Sequence, residues 1–388
     1  MFSQRTNWKL TPNKYTQALE EMRAGREHPL DLTVSNPTEC GLKYDSAAIL
    51  HAFQNERFLS YEPEAKGLLA AREEVALYYH QQHGEIVDPE AFVLTTSTSE
   101  AYSYVFRLLC NPHDEVLVPK PSYPLFDFLG DLQDVSLTPY MLRYAHGWFI
   151  DFESVLRGIT PRTKAVLLVH PNNPTGSYVK EEEIRRLNEL CHERQMALIV
   201  DEVFLDYSLN GQPRKSSVAN RDALTFTLSG LSKIAALPQM KVAWIAMTGP
   251  ESLRRPAQER LEIIADTYLS LSSPVQWAFP ELFAQRRTMQ PQILDRMQEN
   301  WVYLKSRVSE MTAIRLLDTE GGWYAVLQVA GDRSDEQLAI ELMQNAHVLV
   351  HPGHFYDFPS DDYLVLSLIT PIGHFKQGVA RLVGQLQA

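Results

Sequence analysis

The stretch Ala165-Val166-Leu167-Leu168-Val169-His170-Pro171-Asn172-Asn173-Pro174-Thr175-Gly176, with Ala197-Leu198-Ile199-Val200-Asp201 after it, decides how the rest of the chain is read. Each part opens on an unbroken apolar run too short for a helix, the pattern of a strand covered on both faces. Each then ends abruptly in polar residues. Between them, Glu181 to Arg194 reads as a helix with three acids in its first turn, where the helix dipole favours negative charge. Strand, polar loop, helix and strand in that order point to a parallel sheet.

Outward from this unit the same order repeats. Phe92-Val93-Leu94, Glu115-Val116-Leu117-Val118, Leu224-Thr225-Phe226-Thr227 and Val242-Ala243-Trp244-Ile245-Ala246 supply further apolar runs with helical stretches among them. The expected fold class is α/β, a mostly parallel central sheet with helices on both faces, forming a large domain over residues 45–275. Beyond it, a long helix around Pro291 to Met311 precedes strands at Trp323 to Val329, His347 to Val350 and Tyr363 to Leu368, and Phe375 to Leu386 forms a last helix. This segregated pattern reads as a smaller α+β domain over residues 276–388. Residues 1–44 hold one helix, Lys14 to Arg23, expected to pack on that smaller domain. An irregular piece, Ser35-Asn36-Pro37-Thr38-Glu39-Cys40-Gly41, is expected to cross near a cleft.

Composition narrows the function. The 388 residues are 45% hydrophobic and 22% charged, values of a folded globular chain rather than a disordered or fibrous one. Lys and Arg number 36 against 48 Asp and Glu, a net charge of −12, so the chain as a whole does not attract nucleic acid or an anionic membrane surface. No stretch of about eighteen apolar residues offers a spanning helix, and the first ten residues lack the apolar run of an export signal. Cys40, Cys110 and Cys191 are odd in number and sit among apolar neighbours, as buried thiols do in a reducing cytoplasm. No metal site is expected, and His351 and His354, flanking Gly353, read as hydrogen-bonded or solvated rings.

The chemistry lies where the strands end, because ligands of open α/β sheets bind outside the carboxyl ends of the strands. Thr95-Thr96-Ser97-Thr98-Ser99-Glu100 brings hydroxyls and free N–H groups to a helix amino terminus, which fits a phosphate cradle and equally an ordinary capped helix. Tyr123 stands in a proline-flanked loop after the second strand. Asn173 projects from a loop fixed by two prolines and a glycine. Asp201 ends a strand as a carboxylate, and a buried carboxylate needs a cation or donors against it. Lys233 follows the next strand within Leu228-Ser229-Gly230-Leu231-Ser232-Lys233, among apolar neighbours.

In this order and spacing, 28 residues from Asn173 to Asp201, 32 from Asp201 to Lys233 and 8 from Lys233 to Lys241, the chain resembles the class I/II aminotransferases, pyridoxal phosphate enzymes of fold type I. The resemblance runs from Tyr61-Glu62-Pro63-Glu64-Ala65-Lys66-Gly67 to Val350-His351-Pro352-Gly353. It implies that Lys233 forms the Schiff base with the aldehyde of pyridoxal 5'-phosphate and then serves as general base and acid. It implies that Asp201 pairs with the pyridine nitrogen, Asn173 bonds the 3′ oxygen and Tyr123 stacks on the ring. Ser97, Thr98 and Ser99 would hold the phosphate, with Ser232 and Lys241 adjoining. Tyr61 would reach the phosphate of the neighbouring subunit, which makes a homodimer with active sites at its interface. The implied reaction moves an amino group from an amino acid donor to a 2-oxo acid acceptor. A lyase, decarboxylase or racemase using the same cofactor is the alternative, and a non-catalytic regulatory module on the same scaffold is a third.

Four positions depart from the family. Gly230 replaces a serine, Lys241 an arginine on the phosphate, Phe204 a tyrosine beside the 3′ oxygen, and Val365 the arginine that clamps the substrate carboxylate. Lys241 keeps the charge without the bidentate fork. Tyr207 is a candidate to supply the donor missing at Phe204. For the carboxylate, Arg5 and Lys43, beside Asn36 in the amino-terminal segment, are the candidate contacts; the alternative is a substrate without an α-carboxylate, or with its carboxylate further away. Trp323 and Tyr324 read chiefly as core packing, and the alternative is that one of the two rings lines the substrate pocket.

Overall fold

The structure, a computed structural model, describes residues 1–25, 28–309 and 311–387. Its larger sheet has eight strands: β1 (Phe92–Thr95), β2 (Glu115–Lys120), β3 (Ser136–Tyr144), β4 (Trp148–Ile150), β5 (Thr163–Val169), β6 (Ala197–Asp201), β7 (Thr225–Gly230) and β8 (Ala243–Thr248). Their order across the sheet is β1-β8-β7-β6-β5-β2-β3-β4. Strands β2, β3, β5, β6 and β7 pair in parallel, and β1 shares their direction through the intervening β8. Strands β4 and β8 run against them.

The continuous apolar runs are buried on both faces, as their composition predicts. Ala165, Leu167 and Val169 of β5, with Ala197 and Ile199 of β6, pack into one cluster with Ala101, Val105 and Leu261 from the helices Thr98–Leu109 and Glu251–Tyr268. The alternate residues Val166, Leu168, Leu198 and Val200 face a second cluster, which contains Leu187 and Cys191 of the helix Glu181–Arg194. This alternation places Asp201, in register with Ala197 and Ile199, on the face of the helix Thr98–Leu109.

The carboxyl-terminal sheet is antiparallel, with order β9-β10-β12-β11, from β9 (Ile314–Leu316), β10 (Tyr324–Val329), β11 (His351–Pro352) and β12 (Tyr363–Ser367). The helix expected from Pro291 begins earlier, at Arg286, and ends at Val308 with Pro291 inside it. Gln285 before it already has helical angles, so the turn continues through the proline, and Met289, Ile293, Met297 and Leu304 keep one face buried. The segment expected as a strand from His347 to Val350 divides. Val348–Leu349 pairs in parallel with Leu30–Asp31, and His351–Pro352 joins β12 instead. The helix Lys14–Ala24, capped by the Asn13 side chain, lies against the helix Asp335–Ala346. Among the described residues no helix is long and apolar enough to cross a membrane.

Candidate active site

The carboxyl ends of β1, β2, β5, β6 and β7 share one edge of the sheet, and the residues singled out at strand ends gather there. Asp201 closes β6 and is buried. Its Oδ2 accepts from the Tyr102 hydroxyl at 2.8 Å and its Oδ1 from the Val203 N–H at 3.1 Å. Burial outweighs those donors and pushes its pKa up to about 6, with nearby Lys233 opposing the rise.

Lys233 lies in the one-turn helix Leu231–Ile234 that follows β7 directly. Its Nζ stands 4.7 Å from the centre of the Trp323 ring and 5.5 Å from that of Phe204. Burial drives its pKa down to about 8, against the raising influence of Asp201 and Cys40. An amine at that value is about one-tenth neutral at pH 7, on the order of a hundredfold more than an ordinary lysine, and the neutral form is the nucleophile. The Tyr207 hydroxyl donates to the Lys233 carbonyl oxygen at 2.5 Å and thereby pins the turn. That bond corrects the expectation that Tyr207 replaces the tyrosine missing at Phe204, because its donor is already committed to the backbone.

Gly230 has a structural cause. A Cβ there would lie 2.7 Å from the Val242 carbonyl oxygen and 2.9 Å from the Ala243 Cα, so the close approach of β7 to β8 leaves no room for serine. Leu231 N–H donates to that same Val242 oxygen at 2.9 Å.

Asn173 is buried on the loop after β5, and its Oδ1 has no hydrogen-bond partner. The loop is held from within. Asn172 Oδ1 accepts from Thr175 Oγ1 at 2.9 Å, and Gly176, at φ +70°, fits where a Cβ would strike Thr319 and the Gly321 carbonyl. Ser97 caps the helix Thr98–Leu109, accepting from the Glu100 N–H at 3.2 Å, so the capped-helix reading holds for its side chain. The N–H groups of Thr98 and Ser99, at the first helical positions, have no acceptor within the helix. Tyr123 is 39% exposed, and its phenol is pushed up first by burial and then by the charge of Asp201. Ser232 is half-buried beside Lys233. Lys241 is exposed, in the left-handed conformation at φ +53° after a short turn.

The remaining expected contacts are scattered. Tyr61 is 76% exposed, near the exposed Leu59 in sequence. Asn36 Oδ1 caps its own turn, accepting from the Thr38 N–H at 3.1 Å and hydroxyl at 2.8 Å. Arg5 is paired with Asp134, its Nε 2.7 Å from Oδ2. Lys43 is exposed, and its backbone is clasped by Gln292 at 2.9 and 3.0 Å. Val365 is buried in the middle of β12 opposite Val326 and His351. His351 bonds the Tyr356 hydroxyl at 2.9 Å and His354 bonds Asp335 at 2.9 Å. Tyr102, in an apolar helix one turn beyond Ser99, is a site residue that its sequence does not single out. Of the two rings after Gly322, Trp323 is the one that faces Lys233, fully buried as it is.

Known proteins resemble the chain in sequence and in fold. Residues 27–363 match the family described as aminotransferase class I and II. The alanine aminotransferase of Mycobacterium tuberculosis strain H37Rv is 26% identical over 346 residues, 87% of this chain and 80% of the relative. The glutamate-pyruvate aminotransferase of Escherichia coli strain K12 is 24% identical over 360 residues, 91% and 89% of the two chains. In fold, the chain matches the alanine aminotransferase from Pyrococcus furiosus with a TM-score of 0.89 at 20% identity over the full length of both. A Thermus thermophilus aspartate aminotransferase variant matches with a TM-score of 0.85 at 21% identity, over 99% of each chain. With a family match across most of its length and the lysine, aspartate and asparagine gathered at one sheet edge, the chain belongs to the class I and II aminotransferases.

Proposed function

We infer that the protein is a pyridoxal 5'-phosphate-dependent aminotransferase acting on an amino acid donor and a 2-oxo acid acceptor. The observation that carries this reading is Lys233, a half-buried lysine with a depressed pKa, beside a buried carboxylate whose pKa is raised. The donor set fits the cofactor. Asp201 lacks a cationic partner of its own at close range, Asn173 keeps an unpaired amide oxygen in a buried loop, and the turn at Thr98 offers free N–H groups. When bound, pyridoxal phosphate supplies an electron sink for the bonds at the substrate's α-carbon.

Asp201, fixed by Tyr102 and the Val203 N–H, keeps a proton on the pyridine nitrogen. Thr98 and Ser99 bind the phosphate with their N–H and hydroxyl groups, Ser97 orders that turn, and Ser232 and Lys241 add a hydroxyl and a charge. Asn173 fixes the 3′ oxygen, and Tyr123 covers the ring. Lys233 takes the proton from the substrate's α-carbon, and Trp323 and Phe204 keep water from that amine. Lys43 and Asn36 approach the substrate carboxylate, with Arg5 free to do so only by leaving Asp134. The exposed Leu50, Leu59, Tyr61 and Leu69 support a homodimer completing each site. Three free cysteines support a cytoplasmic setting.

The test is a half-reaction. Enzyme given one amino acid and no acceptor should release one equivalent of the matching 2-oxo acid, and a 2-oxo acid should restore the starting spectrum. Release of carbon dioxide or ammonia, or loss of the amino acid's handedness, in place of 2-oxo acid would refute the transaminase reading.

A further inference from the structure

A cavity opens between the helix Glu181–Arg194 and the turn Ser217–Ala219, with His170, the residue after β5, in its wall. Its volume is about 700 Å³, within the range of small-molecule sites, and neither Lys233, Asp201 nor Asn173 lines it. Its floor is apolar, from Ile184, Leu198 and Val200. Its lining carries five cationic side chains against two carboxylates, Glu181 and Asp222, in a chain whose net charge is −12.

Ion pairing neutralises this lining only in part: Arg185 is held by Glu182 and Glu189 on its own helix, but two other arginines are not so matched. Arg214 and Lys180 share a single carboxylate, Glu320, and the Arg214 guanidinium approaches it no closer than 3.6 Å. Arg214 lies 4.4 Å above the Tyr178 ring, and its Nε is buried with no acceptor. Arg221 donates to the carbonyl oxygens of Val218 and Asn220 and has no carboxylate partner among the described residues. Lys215 meets Glu181 at 2.7 Å, but both are almost fully exposed, so that pair holds little energy. Two guanidinium groups with unused donors therefore border one apolar-floored cavity. Planar guanidinium donors match phosphate and carboxylate oxygens in pairs.

We propose that this cavity binds a small organic polyanion, a phosphate ester or a polycarboxylate, at a site separate from the cofactor cleft. Arg214 and Arg221 hold the anionic group, and the floor takes the ligand's carbon skeleton.

Calorimetric titration of the cofactor-loaded enzyme, whose own phosphate site is filled, tests this with pyrophosphate and with citrate at matched ionic strength. One saturable site per chain is expected for at least one of them. Pyrophosphate binding alone identifies a phosphate site, and citrate binding alone a carboxylate site. Arg214→Gln and Arg221→Gln should each weaken that binding roughly tenfold or more, the loss of one charge-assisted hydrogen bond. Arg255→Gln removes the same charge from an exposed position on the helix Glu251–Tyr268 and should leave the affinity unchanged. If Arg214→Gln does not melt as a folded protein, Arg221→Gln decides. The proposal is overturned if neither anion saturates, if neither cavity variant weakens binding, or if Arg255→Gln weakens it as much as they do.

Discussion

The hydroxyl of Tyr102 reaches the carboxylate of Asp201 at 2.8 Å from the helix whose amino terminus carries Ser97, Thr98 and Ser99. One helix thus bears the group that orients the acid and the turn assigned to the phosphate. The distance between the two ends of the cofactor site is set by the rise of that helix.

Asp201 costs the empty enzyme stability. Burial raises its pKa from 3.8 to about 6, so the folded chain holds a proton that the unfolded chain has released between those values. Stability then falls as pH rises from about 4 to 6, and the deficit persists above 6. The cofactor-free variant Asp201→Asn should melt higher than wild type at pH 8, by up to about 3 kcal/mol, and converge with it near pH 4. Thermal melts across pH check this, and the same variant should lose transaminase activity.

Lys233, with its pKa near 8, should make cofactor uptake by the empty enzyme rise through pH 8 and level off, where an ordinary lysine would go on gaining to pH 10. Asp201 raises that pKa, so the midpoint should shift downward in Asp201→Asn. Stopped-flow absorbance measures both. Borohydride reduction of the loaded enzyme should place the cofactor on the Lys233 peptide.

Gly230→Ser restores the serine usual in relatives, yet it should weaken the protein. The added carbon meets backbone on β8, and overpacking of this kind costs about 1–3 kcal/mol. Denaturant unfolding and cofactor affinity would show lower stability with no gain in binding.

Val365 stands where the family resemblance places a cation, and the proposed replacement contacts for a substrate carboxylate are Lys43 and Asn36. Lys43→Ala and Asn36→Ala should raise KM for an amino acid while changing kcat little, and Arg5→Ala, whose partner is Asp134, should do neither. Equal turnover of an amino acid and its decarboxylated amine, unchanged in all three variants, would show that no carboxylate is clamped.

The sequence made the chemistry more legible than the sheet. Asp201 directly ends a continuous apolar run, Asn173 lies four residues beyond Val169 at the end of another, and Lys233 lies three beyond the last residue of β7; such strands are readable where both faces are buried. Strand β3 escaped notice because only Tyr140 and Leu142 of its residues are buried, and Pro139 interrupts it. Pro139 is tolerated because it pairs with Val118 on one side while β4 reaches only Leu142–Tyr144 on the other. The reversed β8 was readable in principle. The connection after Gly230 holds only one turn of helix and a short 3-10 turn, too little for a crossover to a parallel neighbour. Tyr102 was hidden, and Trp323 could not be separated from Tyr324, because a buried ring facing a charged site residue has the same local sequence as one facing a leucine.

The pairing of Leu30 with Val348 sets a timetable for synthesis. A strand residue made near the start waits for a partner 318 residues later, and Leu32 likewise waits to accept from the Ser367 N–H. At about 5–20 residues per second the ribosome needs roughly 15 to 60 seconds to deliver them. During that interval the large sheet can close on its own, while the first thirty-odd residues trail unpaired as a partner for chaperones. A nascent chain halted before Val348 should therefore protect β5 to β8 from protease and leave the Lys14–Ala24 helix open to cleavage.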